Sequence, residues 1–210
     1  GFMPCNGVQD HRHADAVAEI GAWLDWLAAQ GARRVALFGH SRGGNQVAWY
    51  AAERDDPRVA GLVMLAPMTW DAERAGARYR KRFGADLDAL LGKAGAVAAD
   101  TVLEVPGFLH CNEPTRVTAD AFLGYYGDDR RKDTPALLPD IGLPTLVAVG
   151  RDDGRVPDLA GRLQGLPSAA HRGAMLLADT GHMFRDRVAT VVDRAAAFLE
   201  KHAVFHQPRN

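Results

Sequence analysis

The chain has 210 residues, 47% of them hydrophobic and 24% charged, with a formal net charge of −1 at pH 7. That length suffices for one domain, or two at most, around a sizeable core. The near-neutral balance excludes binding to nucleic acid or a membrane surface through bulk charge. No apolar run reaches the ~18 to 20 residues of a membrane-spanning helix.

The two cysteines, Cys5 and Cys111, form no C-x-x-C pair, which excludes a zinc ribbon or a dithiol redox motif. Two free thiols in a reducing compartment are expected, with a single disulfide as the alternative. The chain opens on Gly1-Phe2-Met3 and carries no charged-then-apolar signal segment. The expectation is therefore a chain shortened at its N-terminus and located in the cytoplasm. A periplasmic or secreted location is the alternative if a signal segment lies upstream.

In chain order, the stretch from Asp10 to Asp15 holds His11 and His13 two residues apart. Such a pair converges on one ligand only in extended chain, and no further cluster completes a metal site. A polar loop is expected there, with Asp15 near the start of the first helix and no metal. Val17, Ile20, Trp23, Leu24 and Leu27 recur at helical spacing, and Gly31 ends the run. Val35 to Phe38 is apolar without alternation, the pattern of a strand covered on both faces. A helix is predicted from Asn45 to Arg54 and a second buried strand from Val59 to Ala66.

The interval from Met68 to Pro144 shows helical patterns around Ala72 to Phe83, Ala85 to Val97 and Thr118 to Tyr126, and no strong buried strand. Its basic run, Arg78 to Phe83, reads as a solvated helix face. Thr145 to Gly150 and Ala174 to Ala178 are the third and fourth strands. A last helix is predicted from Arg185 to Lys201, with Val188, Val191, Val192, Ala195, Phe198 and Leu199 inward, and the tail from Phe205 to Asn210 is expected to fray. This alternation predicts the α/β class: a doubly wound, mostly parallel sheet flanked by helices. Residues 1–67 and 145–210 form its core, incomplete at the N-terminus. Residues 68–144 form a helical cap inserted over the carboxyl ends of the strands, where open α/β sheets bind ligands.

Between the first strand and the helix after it stands Gly39-His40-Ser41-Arg42-Gly43, a G-x-S-x-G sequence in the strand-to-helix setting that this motif requires. A serine on so tight a turn is held in a strained backbone conformation, and glycines on either side of it avoid collisions with the neighbouring strand and helix. A serine hydroxyl needs a base to become a nucleophile, and the base needs an orienting carboxylate. Asp153 follows the third strand and His182 the fourth, so both fall on the same rim as Ser41.

The chain thus resembles the α/β-hydrolase superfamily from about Asp15 to His202. Gly150-x-x-Asp153 with Pro157 is similar to that family's acid loop, and Thr180-Gly181-His182 to its histidine loop. The resemblance implies Ser41 as nucleophile, His182 as general acid/base, Asp153 as orienting acid and the backbone N–H of Arg42 as an oxyanion-hole donor. Asp152 is the rival to Asp153. His40, Trp70 and Met183 are candidates to line a substrate pocket.

Relatives carry further strands and a second oxyanion donor before the elbow, and neither is visible here. An unpaired strand edge is a template for a homodimer. The expected function is that of a serine hydrolase for a small-molecule carboxylic ester or thioester, with no cofactor. The alternative is an impaired hydrolase scaffold that binds a ligand or partner.

Overall fold

A computed structural model divides the chain into two units, Gly1–Ala16 with Trp70–Asp129 and Val17–Thr69 with Arg130–Asn210. It describes residues 4–169, 171–202 and 204, and the tail expected to fray lies outside them. The elements in chain order are β1 (Val8–Gln9), α1 (Asp15–Ala29), β2 (Val35–His40), α2 (Arg42–Glu53) and β3 (Val59–Leu65), then α3 (Ala72–Phe83), α4 (Leu87–Gly95), β4 (Val102–Val105), β5 (Thr115–Thr118) and α5 (Ala119–Tyr126), and finally α6 (Thr134–Leu137), β6 (Thr145–Gly150), α7 (Leu159–Gln164), β7 (Arg172–Leu177) and α8 (Val188–Lys201). The insertion expected over 68–144 is thus divided. Trp70–Asp129 groups with the first residues of the chain, while Arg130 to Pro144 belongs with the parallel strands.

In the larger unit β2, β3, β6 and β7 lie side by side in that order, all parallel. The two inner strands are almost wholly buried, as their unbroken apolar sequence requires. The outer strand β2 is not: Phe38 is 58% exposed, so the expected cover on both faces fails at this strand. It pairs with β3 alone, and among the described residues no strand lies along its other side. Because all four strands point the same way, the segments after His40, Leu65, Gly150 and Leu177 emerge on one rim.

Two helices bury a narrower face than their apolar spacing suggests. In α1 Val17 and Leu24 are buried while Trp23 is exposed, because successive helical residues point about 100° apart. In α8 Val191, Ala195 and Leu199 are buried, whereas Val188 and Val192 are exposed. Gly31 ends α1 at φ 94°, a conformation that glycine adopts without strain.

The smaller unit contains a sheet of order β1-β5-β4, with β1 parallel and β4 antiparallel to β5. No strand was expected here. The segments are two to four residues long, too short for a periodicity to register, although Leu103, Val105 and Val117 do point inward. Around them Tyr79, Phe108 and Phe122 form an aromatic core. The Tyr79 hydroxyl donates to the Gly107 carbonyl at 2.8 Å. Of the basic run, only Tyr79 is buried and Arg78, Arg80, Lys81 and Arg82 are exposed, as a solvated face requires. Side-chain caps start three helices: Asp71 for α3, Asp86 for α4 and Thr118 for α5.

Cys5 and Cys111 are joined in a disulfide, with Cα atoms 5.6 Å apart, in place of the expected free thiols. The parallel pairing of β1 with β5 brings together segments of chain about a hundred residues apart, which spacing in the sequence could not reveal. Among the described residues the one cluster with metal-ligand proximity is Cys5, His110 and Cys111, and its two sulfurs bond each other. His11 Nδ1 lies 3.3 Å from the Tyr125 hydroxyl and His13 packs edge-on to the Tyr125 ring. Asp15 accepts from the Arg12 backbone N–H at 2.7 Å, the polar start to α1 that its position suggests.

Candidate active site

The chain leaves β2 at His40 and enters α2 at Arg42, so Ser41 alone makes the turn, at φ 56° and ψ −119°. That φ is costly for a residue with a side chain, and the surroundings impose it. Ser41 N–H donates to the Leu65 carbonyl at 2.9 Å, and Ser41 C=O accepts from the N–H groups of Asn45 at 3.3 Å and Met68 at 3.0 Å. The turn is therefore tied to β3 and to the start of the helix together.

Two glycines make room for it. A Cβ on Gly39 would lie 2.3 Å from the Gly43 oxygen, and one on Gly44 would lie 2.8 Å from the Pro67 Cβ. A Cβ on Gly43 would meet nothing within 4 Å. The second required glycine is thus Gly44, not the Gly43 expected from the five-residue motif. The signal was present as the Gly43-Gly44 doublet, but only the packing of Pro67 against the helix distinguishes its members. The helix also starts three residues earlier than predicted, at Arg42. Arg42 opens α2, where backbone N–H groups have no acceptor within the helix.

Asp153 and His182 are both buried, and the His182 Nδ1 lies 2.8 Å from Asp153 Oδ2. A carboxylate only accepts, so Nδ1 carries the proton and Nε2 presents its lone pair. The other oxygen of Asp153 accepts from the Arg155 backbone N–H at 2.9 Å. Asp152, the rival carboxylate, is exposed. The Nε2 of His182 is buried and makes no hydrogen bond, with Ser41 or any other described residue. Burial pushes the His182 pKa below its ordinary value and His40 and Arg155 push the same way, while Asp153 opposes them.

The acid and histidine loops are packed against each other at their roots. A Cβ on Gly150 would lie 2.5 Å from the Thr180 oxygen, and Asp152 N–H donates to that oxygen at 3.1 Å. This close approach follows from the adjacency of β6 and β7 and sets the height of Asp153 against His182.

Of the three pocket candidates, His40 has its Nε2 2.8 Å from the His182 backbone oxygen and its ring centroid 4.8 Å from that of His182. Met183 is 53% exposed beside His182. Trp70 belongs to the smaller unit, where its indole N–H donates to Asp128 at 2.9 Å.

Comparison with known proteins agrees with this architecture. The profile of the alpha/beta hydrolase family matches residues 3–195. A search of curated proteins finds no match to the chain. Among solved structures it is similar to a monoacylglycerol lipase from Paleococcus ferrophilus, with a TM-score of 0.64 and 17% identity over 92% of this chain and 77% of that one. It is equally similar to the alpha/beta hydrolase GrgF from Penicillium sp. sh18, with a TM-score of 0.64 and 17% identity over 94% of this chain and 74% of that one. The esterase domain of a Rhodothermus marinus protein superposes with a TM-score of 0.56 and 19% identity, over 88% and 68% of the two chains. With a family match over nearly its whole length and a parallel sheet whose rim carries the elbow, acid and histidine loops, the chain belongs to the alpha/beta hydrolase family.

Proposed function

We propose that the protein is a serine hydrolase that cleaves a carboxylic ester or thioester through an acyl-enzyme on Ser41. The observation that carries this reading is the buried Asp153–His182 hydrogen bond, which leaves the Nε2 lone pair of His182 unpartnered on the rim where Ser41 makes its strained turn. Ser41 Oγ attacks the substrate carbonyl carbon and its proton passes to His182 Nε2. Asp153 stabilises the imidazolium. The backbone N–H of Arg42, at the positive end of α2, donates to the oxyanion of the tetrahedral intermediate. Collapse of the intermediate expels the alcohol or thiol, which takes the proton from His182. Water, deprotonated by the same nitrogen, then releases the acid and regenerates Ser41.

Labelling with a fluorophosphonate and hydrolysis of a p-nitrophenyl ester test the reading, with Ser41→Ala as control. Both signals are expected in the native protein and neither in the variant. Labelling that persists in Ser41→Ala overturns it. A second reading, a binding scaffold with impaired turnover, is favoured by the outer position of β2, beside which no second strand lies among the described residues; labelling without any hydrolysis selects it. The Cys5–Cys111 disulfide favours an oxidising compartment over the expected cytoplasm, and alkylation of the protein from its host without reductant checks that by counting free thiols.

A further inference from the structure

His40 ends β2, directly before Ser41, and is half-buried. Its Nε2 stands 2.8 Å from the backbone oxygen of His182. A carbonyl only accepts, so this nitrogen carries a proton and donates. The two imidazoles lie 4.8 Å apart at 46°, and Phe184 stands edge-on to His40 at 6.5 Å. His182 is therefore gripped twice, at its ring by Asp153 from the loop after β6 and at its main chain by His40 from the end of β2. The second grip links the elbow directly to the histidine loop. A substrate-lining side chain would be expected to keep its polar atoms for the ligand, whereas His40 spends its N–H on the protein.

We propose that His40 is a positioning residue, which aims His182 Nε2 by holding its carbonyl and flanking its ring. At 4.8 Å the His40 ring also disfavours charge on the His182 imidazole. The proposal rests on the reading of His182 as the base for Ser41. The charged or titratable groups that act on His182 are Asp153, which favours its protonated form, and His40 and Arg155, which disfavour it. A ring that gripped the main chain without touching the imidazole would affect aim alone; at 4.8 Å His40 affects both aim and charge.

Two variants separate these effects. His40→Gln keeps an N–H donor of similar reach but cannot be charged, and His40→Phe keeps a flanking ring without the donor. Both are followed by thermal melting, by kcat and KM on a p-nitrophenyl ester across pH, and by NMR titration of the His182 imidazole. In His40→Phe, kcat should fall by up to about 100-fold at every pH with KM little changed, the scale of loss that a misaimed catalytic group produces. His40→Gln should retain most of the turnover above neutral pH. In both, the His182 titration midpoint should move to higher pH. A fully active His40→Phe, or a His40→Gln as impaired as His40→Phe, overturns the positioning role. A His182 midpoint unmoved in both variants overturns the charge effect even where turnover is intact. If the native protein neither labels nor turns over, the serine-hydrolase reading has failed, while the NMR midpoint still decides whether His40 acts on His182.

Discussion

A Cβ on Gly39 would lie 2.3 Å from a backbone oxygen, whereas Asp153 meets His182 through a 2.8 Å hydrogen bond between two buried side chains. The elbow is held by sterics among backbone atoms that cannot move aside. The acid–histidine pair is held by burial and by one polar contact. The first arrangement fails when volume is added and does not depend on pH. The second tolerates substitutions of equal size structurally but fails chemically, because a donor and an acceptor must face each other in the right protonation state. Folding and reactivity are therefore separable at this site, and substitutions can be chosen that touch only one of them.

The largest effect should come from Asp153→Asn, which keeps the volume but reverses the hydrogen bond. The amide would donate to His182 Nδ1 and put the wrong tautomer toward Ser41, costing on the order of 10⁴-fold in kcat. The melting temperature should change little beside that loss. Asp152→Asn, on an exposed side chain, should leave kcat near native. Equal losses in the two variants, read by steady-state kinetics, would remove Asp153 from its role.

At the elbow, Gly39→Ala should cost more than about 4 kcal/mol, the range reached only when a well-packed site is forced apart. The variant should be recovered unfolded or not at all, as read by circular dichroism. Gly44→Ala should cost about 1 to 3 kcal/mol, since the Pro67 ring must give way. Gly43→Ala meets open space and should stabilise by about 0.4 to 1 kcal/mol. Urea denaturation orders the last two, and a Gly43→Ala less stable than Gly44→Ala would break the comparison.

The smallest effect is on pH dependence. Burial lowers the His182 pKa, so the neutral base persists to more acid conditions than in a free histidine. The acid limb of kcat/KM should therefore have its midpoint below the ordinary histidine value of about 6.5. The same sign holds for stability. The unfolded state takes up the proton first as pH falls, so the contribution of this histidine is present above about pH 6.5 and is lost as the pH falls from there through the lowered folded pKa. A limb centred above 6.5 would show that Asp153 outweighs burial.

Much of the site was legible because its signals are local in the chain. The strained serine shows itself in the glycines around it, and the order of Ser41, Asp153 and His182 follows from three strands ending on one rim. The helices of the smaller unit were legible too: α3 was placed to the residue, Ala72 to Phe83. The short strands β4 and β5 were not, since four residues carry too little alternation to stand out. The exposure of Trp23, Val188 and Val192 was also hidden. Apolar spacing gives the stripe of a helix but not how much of it a neighbour covers.

The sequence alone determined the turn at Ser41, the strands that end before Ser41, Asp153 and His182, and the helical stretch Ala72 to Phe83, because each depends on residues a few positions apart and on the excluded volume of the backbone. Tertiary structure decided the rest. It selected Asp153 over Asp152 by burying one of them against His182, and Gly44 over Gly43 by the approach of Pro67. It joined Cys5 to Cys111, left Phe38 exposed on an outer strand, and turned His40 toward the carbonyl of His182. Each of these depends on a partner brought near by the pairing of strands, and no pattern within a short stretch of chain records which partner that will be.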